Sequence, residues 1–215
     1  MVTVIIGQKG TGKSTLLRCL TATLSRMVLV DTLSEHAGGM VLTFDEFLDT
    51  VAVYPHDRFR FIVRELEPED FDDFCKWVRT VGSLTLAIDE IDLWTKPNYT
   101  PPELERLVRY GRHHAVDLLV VARRPVDVPR LVTSQADVLF TYRQTEPADL
   151  KWLVDLTGQP RIRELVPALP DFAVAVWNAR DRETIRVAGI DLTSHGPELQ
   201  YKSQGERPQE PPGDV

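Results

Sequence analysis

The chain has 215 residues, with 25 Lys and Arg against 32 Asp and Glu, a formal charge of −7, and 43% apolar residues. That length supports one domain with a full core; no apolar run approaches the ~18 residues of a membrane span, and Met1 leads straight into an apolar segment, which excludes a signal peptide and predicts a cytoplasmic protein. The acidic balance argues against non-specific coating of nucleic acid, but five acids against two bases fall from Asp191 onward, so a local basic surface elsewhere stays open.

The first apolar run, Val2–Ile6, reads as a strand and is followed at once by Gly7, Gln8, Lys9, Gly10, Thr11, Gly12, Lys13, Ser14 and Thr15. This is the spacing of a phosphate-binding loop. Triphosphate oxygens must be wrapped by backbone N–H groups, and glycine lets the backbone turn inward without a Cβ in the way. Lys13 then offers a point charge to the β- and γ-phosphates, and the Ser14 hydroxyl can ligate Mg²⁺. A helix over residues 13–25 sets its N-terminal dipole at the same anion site.

Further along, strands are expected at 27–30, 58–63, 83–88, 116–122 and 138–142, and helices at 44–52, 68–81, 101–114 and 147–156. Thr100 before Pro101 and Pro102 reads as a capping residue. Cys19 and Cys75 fall in helices beside apolar neighbours and read as buried thiols. Alternating strands and helices predict an α/β fold, a three-layer P-loop NTPase with a mainly parallel central sheet. Segments 172–178 and 184–187 read as a C-terminal β-hairpin, with Phe172, Val174 and Val176 on one buried face. Residues 192–215, with four prolines and little to bury, predict a flexible tail that orders only on a partner. The organisation expected is a core over 1–158, an extension with the hairpin over 159–191, and the tail.

The strand at 83–88 ends in Asp89 and Glu90, where a phosphate-loop enzyme places its second motif. Asp89 is expected to hold Mg²⁺ and Glu90 to orient and polarise an attacking water. A glutamate after the magnesium aspartate points to hydrolysis. The chain lacks Asn-Lys-x-Asp, so ATP is expected over GTP, and it lacks Leu-Ser-Gly-Gly-Gln, which disfavours a transporter ATPase. A small-molecule kinase stays open, with Asp31 as a substrate contact and Arg161 and Arg163 as lid arginines. His113 and His114 read as helix-end residues, and Trp77, Trp94, Trp152 and Trp177 as packing residues. The segment around Trp94, Lys96 and Tyr99 is open to two readings, an ordinary surface loop or a loop facing a channel.

The stretch Gly111 to Pro125, with Ser134, Gln135, Ala136 and Asp137 and the two motifs above, resembles the FtsK/HerA superfamily of DNA-pumping ATPases. It looks most like the short members that package genomes into tailless, membrane-containing viruses. The resemblance covers roughly residues 2–158. It implies that the strand at 116–122 lies between those carrying the two nucleotide motifs, that Arg112 reaches a neighbouring subunit's γ-phosphate, and that Arg123 occupies the sensor position. There the family often has Gln before Arg-Pro, and a guanidinium can donate to phosphate but cannot accept a hydrogen bond from water. Arg124 and Arg130 read equally as surface arginines or phosphate-backbone contacts. The resemblance further implies a homo-oligomeric ring of five or six subunits on double-stranded DNA, docking to a capsid or vertex protein, in the host cytoplasm or on the virion. A secretion or phage-assembly ATPase resembling zonular-occludens-toxin-type proteins is the alternative within the same superfamily.

Overall fold

The computed structural model describes residues 1–53, 58–181, 185–191 and 198–201, with 190–191 and the last stretch described through their backbone. In chain order the elements are β1 (Val2–Ile6), α1 (Lys13–Thr21), β2 (Arg26–Val30), β3 (Met40–Leu42), α2 (Phe44–Val53), β4 (Phe59–Val63), α3 (Phe71–Val81), β5 (Leu84–Ile88), α4 (Pro102–Tyr110), β6 (Val116–Ala122), α5 (Arg130–Ser134), β7 (Val138–Thr141), α6 (Pro147–Thr157), α7 (Ile162–Leu165), β8 (Ala173–Asn178), β9 (Ile185–Asp191) and β10 (Glu198–Tyr201). Short 3₁₀ turns lie at Ile91–Leu93, Gly111–His114 and Pro125–Asp127.

All ten strands join one sheet in the order β10-β9-β8-β7-β1-β6-β5-β2-β4-β3. The seven from β3 to β7 pair in parallel, and β8, β9 and β10 extend the β7 edge antiparallel. Central strands such as β1 are buried along their whole length, which is why they read as continuous apolar runs rather than alternating ones. On one face, Leu16 and Leu17 of α1 pack over Ile5, Val121 and Phe140. The other face carries the remaining helices, through Phe47, Phe74, Leu104, Val132 and Trp152 among others. The sheet is therefore the middle of three layers, as expected.

Several local expectations are corrected. α4 begins at Pro102, and its N-cap is Pro101 with no side-chain cap, so Thr100 does not cap it; the Glu103 N–H donates instead to Asp72 Oδ1 of α3 at 2.7 Å. β3 went unpredicted because an apolar run of only three residues, Met40 to Leu42, is too short to read as a strand. Phe172 precedes β8 and is exposed. The expected hairpin forms, with β8 paired antiparallel to β9, but Ala173 to Trp177 are buried in succession rather than alternately, because β8 also pairs with β7 inside the sheet and is covered on both faces. Thr184, the expected start of the second hairpin strand, lies outside the described residues, as do 192–197 and 202–215 of the expected tail. Four residues of that tail form β10. Cys75 is buried and Cys19 half-buried. Trp94 packs on Phe71 with ring centroids 4.5 Å apart, and Trp152 and Trp177 are buried, whereas Trp77 is exposed against expectation.

Candidate functional site

The carboxyl ends of the parallel strands bring the site together, the usual crevice of such sheets. Since β1 lies between β7 and β6, and β6 lies beside β5, the strand tips present Tyr142, the phosphate loop, Arg123 and the Asp89-Glu90 pair side by side. The expectation that the strand at 116–122 separates the two motif strands is thus met. Lys9, Gly10, Gly12, Lys13, Ser14 and Thr15 line a cleft of 480 Å³ with Asp89, Glu90 and Arg123. Leu33, Glu35 and Phe172 complete it.

The loop's glycines are needed where they stand. A Cβ on Gly7 would sit 2.7 Å from both Tyr142 Cβ and Thr11 Oγ1. Gly12 has φ +105, and its Cβ would stand 3.1 Å from the Phe172 ring. Tyr142, fully buried, donates its hydroxyl to the Gly12 carbonyl at 3.1 Å, and burial raises its phenol above the usual tyrosine range. Within the loop, Thr11 Oγ1 and Lys13 Nζ donate to the Gln8 carbonyl at 2.8 and 3.0 Å, and Gln8 Nε2 reaches Thr145 Oγ1 at 3.5 Å. Burial lowers the Lys13 pKa, with Asp89 and Glu90 opposing the shift.

Asp89 and Glu90 are held in different ways. Glu90 has φ 57 and ψ 59, a left-handed conformation that costs a non-glycine residue roughly 1–2 kcal/mol. Its Oε1 accepts from Arg123, with Nε at 3.0 Å, so the guanidinium at the sensor position grips the expected water-activating carboxylate. That bond raises the Arg123 pKa further. Gln144, fully buried, donates Nε2 to the Arg123 carbonyl at 3.0 Å and fixes the backbone beneath it.

Asp89 is held by a residue that sequence reasoning missed. His36 Nε2 lies 2.8 Å from Asp89 Oδ2, with both side chains buried, and an ionised carboxylate there accepts from the ring N–H. The loop between β2 and β3 delivers His36. Asp31, at the β2 tip, accepts the N–H groups of Glu35 and His36 at 3.0 and 3.1 Å, and Arg64, at the β4 tip, donates to Asp31 Oδ2 at 2.9 Å and to the His36 carbonyl at 2.7 Å. Asp31, 1% exposed and fully engaged, is a structural anchor and not an open substrate contact.

Ser14 and Asp89 supply hard oxygen donors to one cleft, the donor chemistry Mg²⁺ prefers. Among the described residues no group of three His, Cys, Asp or Glu side chains forms a metal cage. Magnesium held here would depend on phosphate oxygens for much of its shell, as it does when it arrives with a nucleotide.

The remaining predicted residues lie elsewhere. Arg112 is exposed in the 3₁₀ turn before β6, at the end of that strand opposite Arg123. His113 and His114 share that turn. Arg161 and Arg163 do not line the cleft, and Arg161 donates to the Ile185 carbonyl at 2.8 Å. Arg124 pairs with buried Asp149 at 3.0 Å, and Arg130, exposed, lies over the Trp152 ring at 5.2 Å. Asp137 accepts the Val2 N–H at 2.7 Å and ties the start of β1 to β7. Lys96 and Tyr99 are exposed and bridged to each other, while Trp94 is part of the core.

Sheet order, one-sided α1 and the glycine loop at the β1 tip define the P-loop NTPase fold. Its solved likenesses fall within the kinds of ATPase expected from the sequence. The genome packaging NTPase B204 from Sulfolobus turreted icosahedral virus 2, in complex with AMPPCP, superposes with TM-score 0.73 and 21% identity over 86% of this chain and 95% of that one. VirB4 of Thermoanaerobacter pseudethanolicus gives TM-score 0.65 at 10% identity, covering 90% of each chain. The N-terminal domain of zonular occludens toxin from Neisseria meningitidis gives 0.52 at 11% identity, over 92% and 98%. No protein-family model and no curated protein sequence matches the chain.

Proposed function

We propose that this chain hydrolyses ATP and, assembled as a ring, uses the energy to move double-stranded DNA, most specifically as a viral genome-packaging motor that docks to a capsid or vertex protein. The observation that supports this reading is the convergence of Lys13, Ser14, Asp89, Glu90 and Arg123 on one cleft in a fold similar to a genome packaging NTPase solved with an ATP analogue.

In this reading the loop amides from Gly7 to Thr15 and the Lys13 ammonium hold the β- and γ-phosphates. Ser14 and Asp89 would hold Mg²⁺, which would supply positive charge to neutralise the phosphate oxygens. Glu90 accepts the proton of a water whose oxygen bonds to the γ-phosphorus as the bond to the bridging oxygen breaks, giving ADP and phosphate. Arg123 sets where the Glu90 carboxylate points. Arg112, remote from its own cleft, would act on a neighbour's.

Turnover measured with and without duplex DNA tests the motor. DNA should stimulate phosphate release, and the stimulation should fade between about 50 and about 200 mM salt as counterion release weakens phosphate contacts. Lys13→Ala should abolish nucleotide binding. Glu90→Gln should bind ATP yet turn over about 10²–10⁴ more slowly. Near-normal turnover in Glu90→Gln would remove the glutamate from the mechanism, and turnover indifferent to DNA in an assembled ring would favour a secretion or phage-assembly ATPase, to which the likeness with the zonular occludens toxin domain lends support. The kinase reading loses its substrate contact, since Asp31 is buried and ion-paired.

A further inference from the structure

Phe172 is a bulky residue in a glycine's place. It is the third residue of the turn from Pro170 to Ala173, closed by a 3.1 Å bond from the Ala173 N–H to the Pro170 carbonyl. Its φ is 60, the left-handed region that this turn position normally assigns to glycine and that disfavours an L side chain. Core packing does not explain the choice, because Phe172 is 55% exposed. The Arg143 pair with Asp171 at 2.9 Å braces the residue before it.

The ring has a definite place. It lies against Gly12 and walls the same cleft as Lys9, Lys13 and Ser14. Of the described residues lining that cleft, Leu33 and Phe172 are the only apolar side chains, and they are 52% and 55% exposed. A strained conformation at a functional cleft that exposes a flat aromatic face beside a phosphate cradle calls for a planar ligand group. Every nucleobase offers one.

We propose that Phe172 is the platform on which the base of the bound nucleoside triphosphate stacks, an inference that rests on the nucleotide-binding reading above. The base lies on the ring while the phosphates run into the loop past Gly12. Stacking of this kind is sequence-tolerant, so the platform adds affinity for nucleosides as a class and leaves the phosphates to the loop.

Affinities of the full chain for ATP and for inorganic triphosphate, each with Mg²⁺, separate base from phosphate contacts. Phe172→Ala should bind ATP about 5- to 100-fold more weakly, with triphosphate affinity unchanged, and Phe172→Tyr should keep wild-type ATP affinity. Phe172→Gly, whose backbone suits this φ, should lose ATP affinity as the alanine variant does while its Tm stays at or above wild type, so the loss is not unfolding. An ATP affinity unchanged in Phe172→Ala, or ATP and triphosphate affinities that fall together, would overturn the platform and make the ring a support for Gly12. Failure of the wild-type chain to bind either probe would overturn the nucleotide reading itself, and this inference with it.

Discussion

At the scale of single residues, the site divides into what is local in the chain and what is not. The loop from Gly7 to Ser14 and the Asp89-Glu90 pair are each contiguous, so their chemistry is legible from residue types and spacing alone. His36 is 53 residues from Asp89 and sits in a loop with no motif, so only the pairing of β2 with β5 reveals it. Partners of a ligating carboxylate are worth about 10–100-fold in metal affinity. His36→Ala should therefore weaken Mg²⁺-dependent ATP binding by about that factor while leaving binding in excess chelator as it was; equal losses in both conditions would mean that the histidine only supports the loop. Asp92 offers a pH test. Burial raises its carboxyl above the usual range, with Glu90 adding to the shift, and its Oδ1 is buried without a hydrogen-bond partner. The folded chain holds that proton more tightly than the unfolded one, so the group favours folding at acid pH and opposes it once pH rises through the folded value. Asp92→Asn should raise the Tm at pH 7, a gain that shrinks as pH falls through the folded value and is gone below about 4; a gain independent of pH would assign it to something other than the charge.

At the scale of elements, the parallel strands were legible because burial on both faces leaves continuous apolar runs, and their helices because Phe71, Phe74, Cys75 and Val78 recur at helical spacing. The C-terminal strands were harder. β8 carries a run buried on both faces, and only its pairing with β7 distinguishes an inner strand from one arm of a surface hairpin. Cutting the chain before Ala173 should therefore leave it unable to fold, since Val174, Ala175 and Trp177 would be lost and β7 stripped of its outer partner; a cooperative melt in that truncation, followed by circular dichroism, would show that β8 is dispensable. A second element-level test lies where α3 turns into β5. Gly82 has φ 62 and ψ −177, a region essentially reserved for glycine, and a Cβ there would stand 2.6 Å from the His114 carbonyl oxygen that also accepts the Ser83 N–H. Strain of about 1–3 kcal/mol should lower the Tm of Gly82→Ala by at least about 3 °C, with the cleft at the other end of the sheet still binding nucleotide. A Tm equal to wild type would show that the backbone shifts without cost.

For the whole molecule, the decisive geometry is the separation of Arg112 from the cleft. A seven-residue β6 lies between Arg112 and Arg123, which sets them roughly 20 Å apart. An arginine that far from its own phosphates can act on hydrolysis only in a neighbour, and an arginine aimed at a neighbour's γ-phosphate makes turnover depend on the assembled ring. The strand predicted at 116–122 already implies this distance, and β6, with the same bounds, sets it. If Arg112 acts in trans, Arg112→Ala should keep its fold and ATP affinity but lose turnover by about 10³-fold or more, and Lys13→Ala should be inactive because it cannot bind nucleotide. Each variant then retains what the other lacks. In mixed rings, an Arg112→Ala subunit has an intact loop, and a Lys13→Ala neighbour still donates its arginine, so some interfaces regain a complete site. Turnover of the mixture should exceed that of either variant alone and should peak near equal proportions. If mixed assembly is verified by differential tagging and turnover stays at the level of the single variants, Arg112 does not serve a neighbouring site, and its exposed place before β6 is structural.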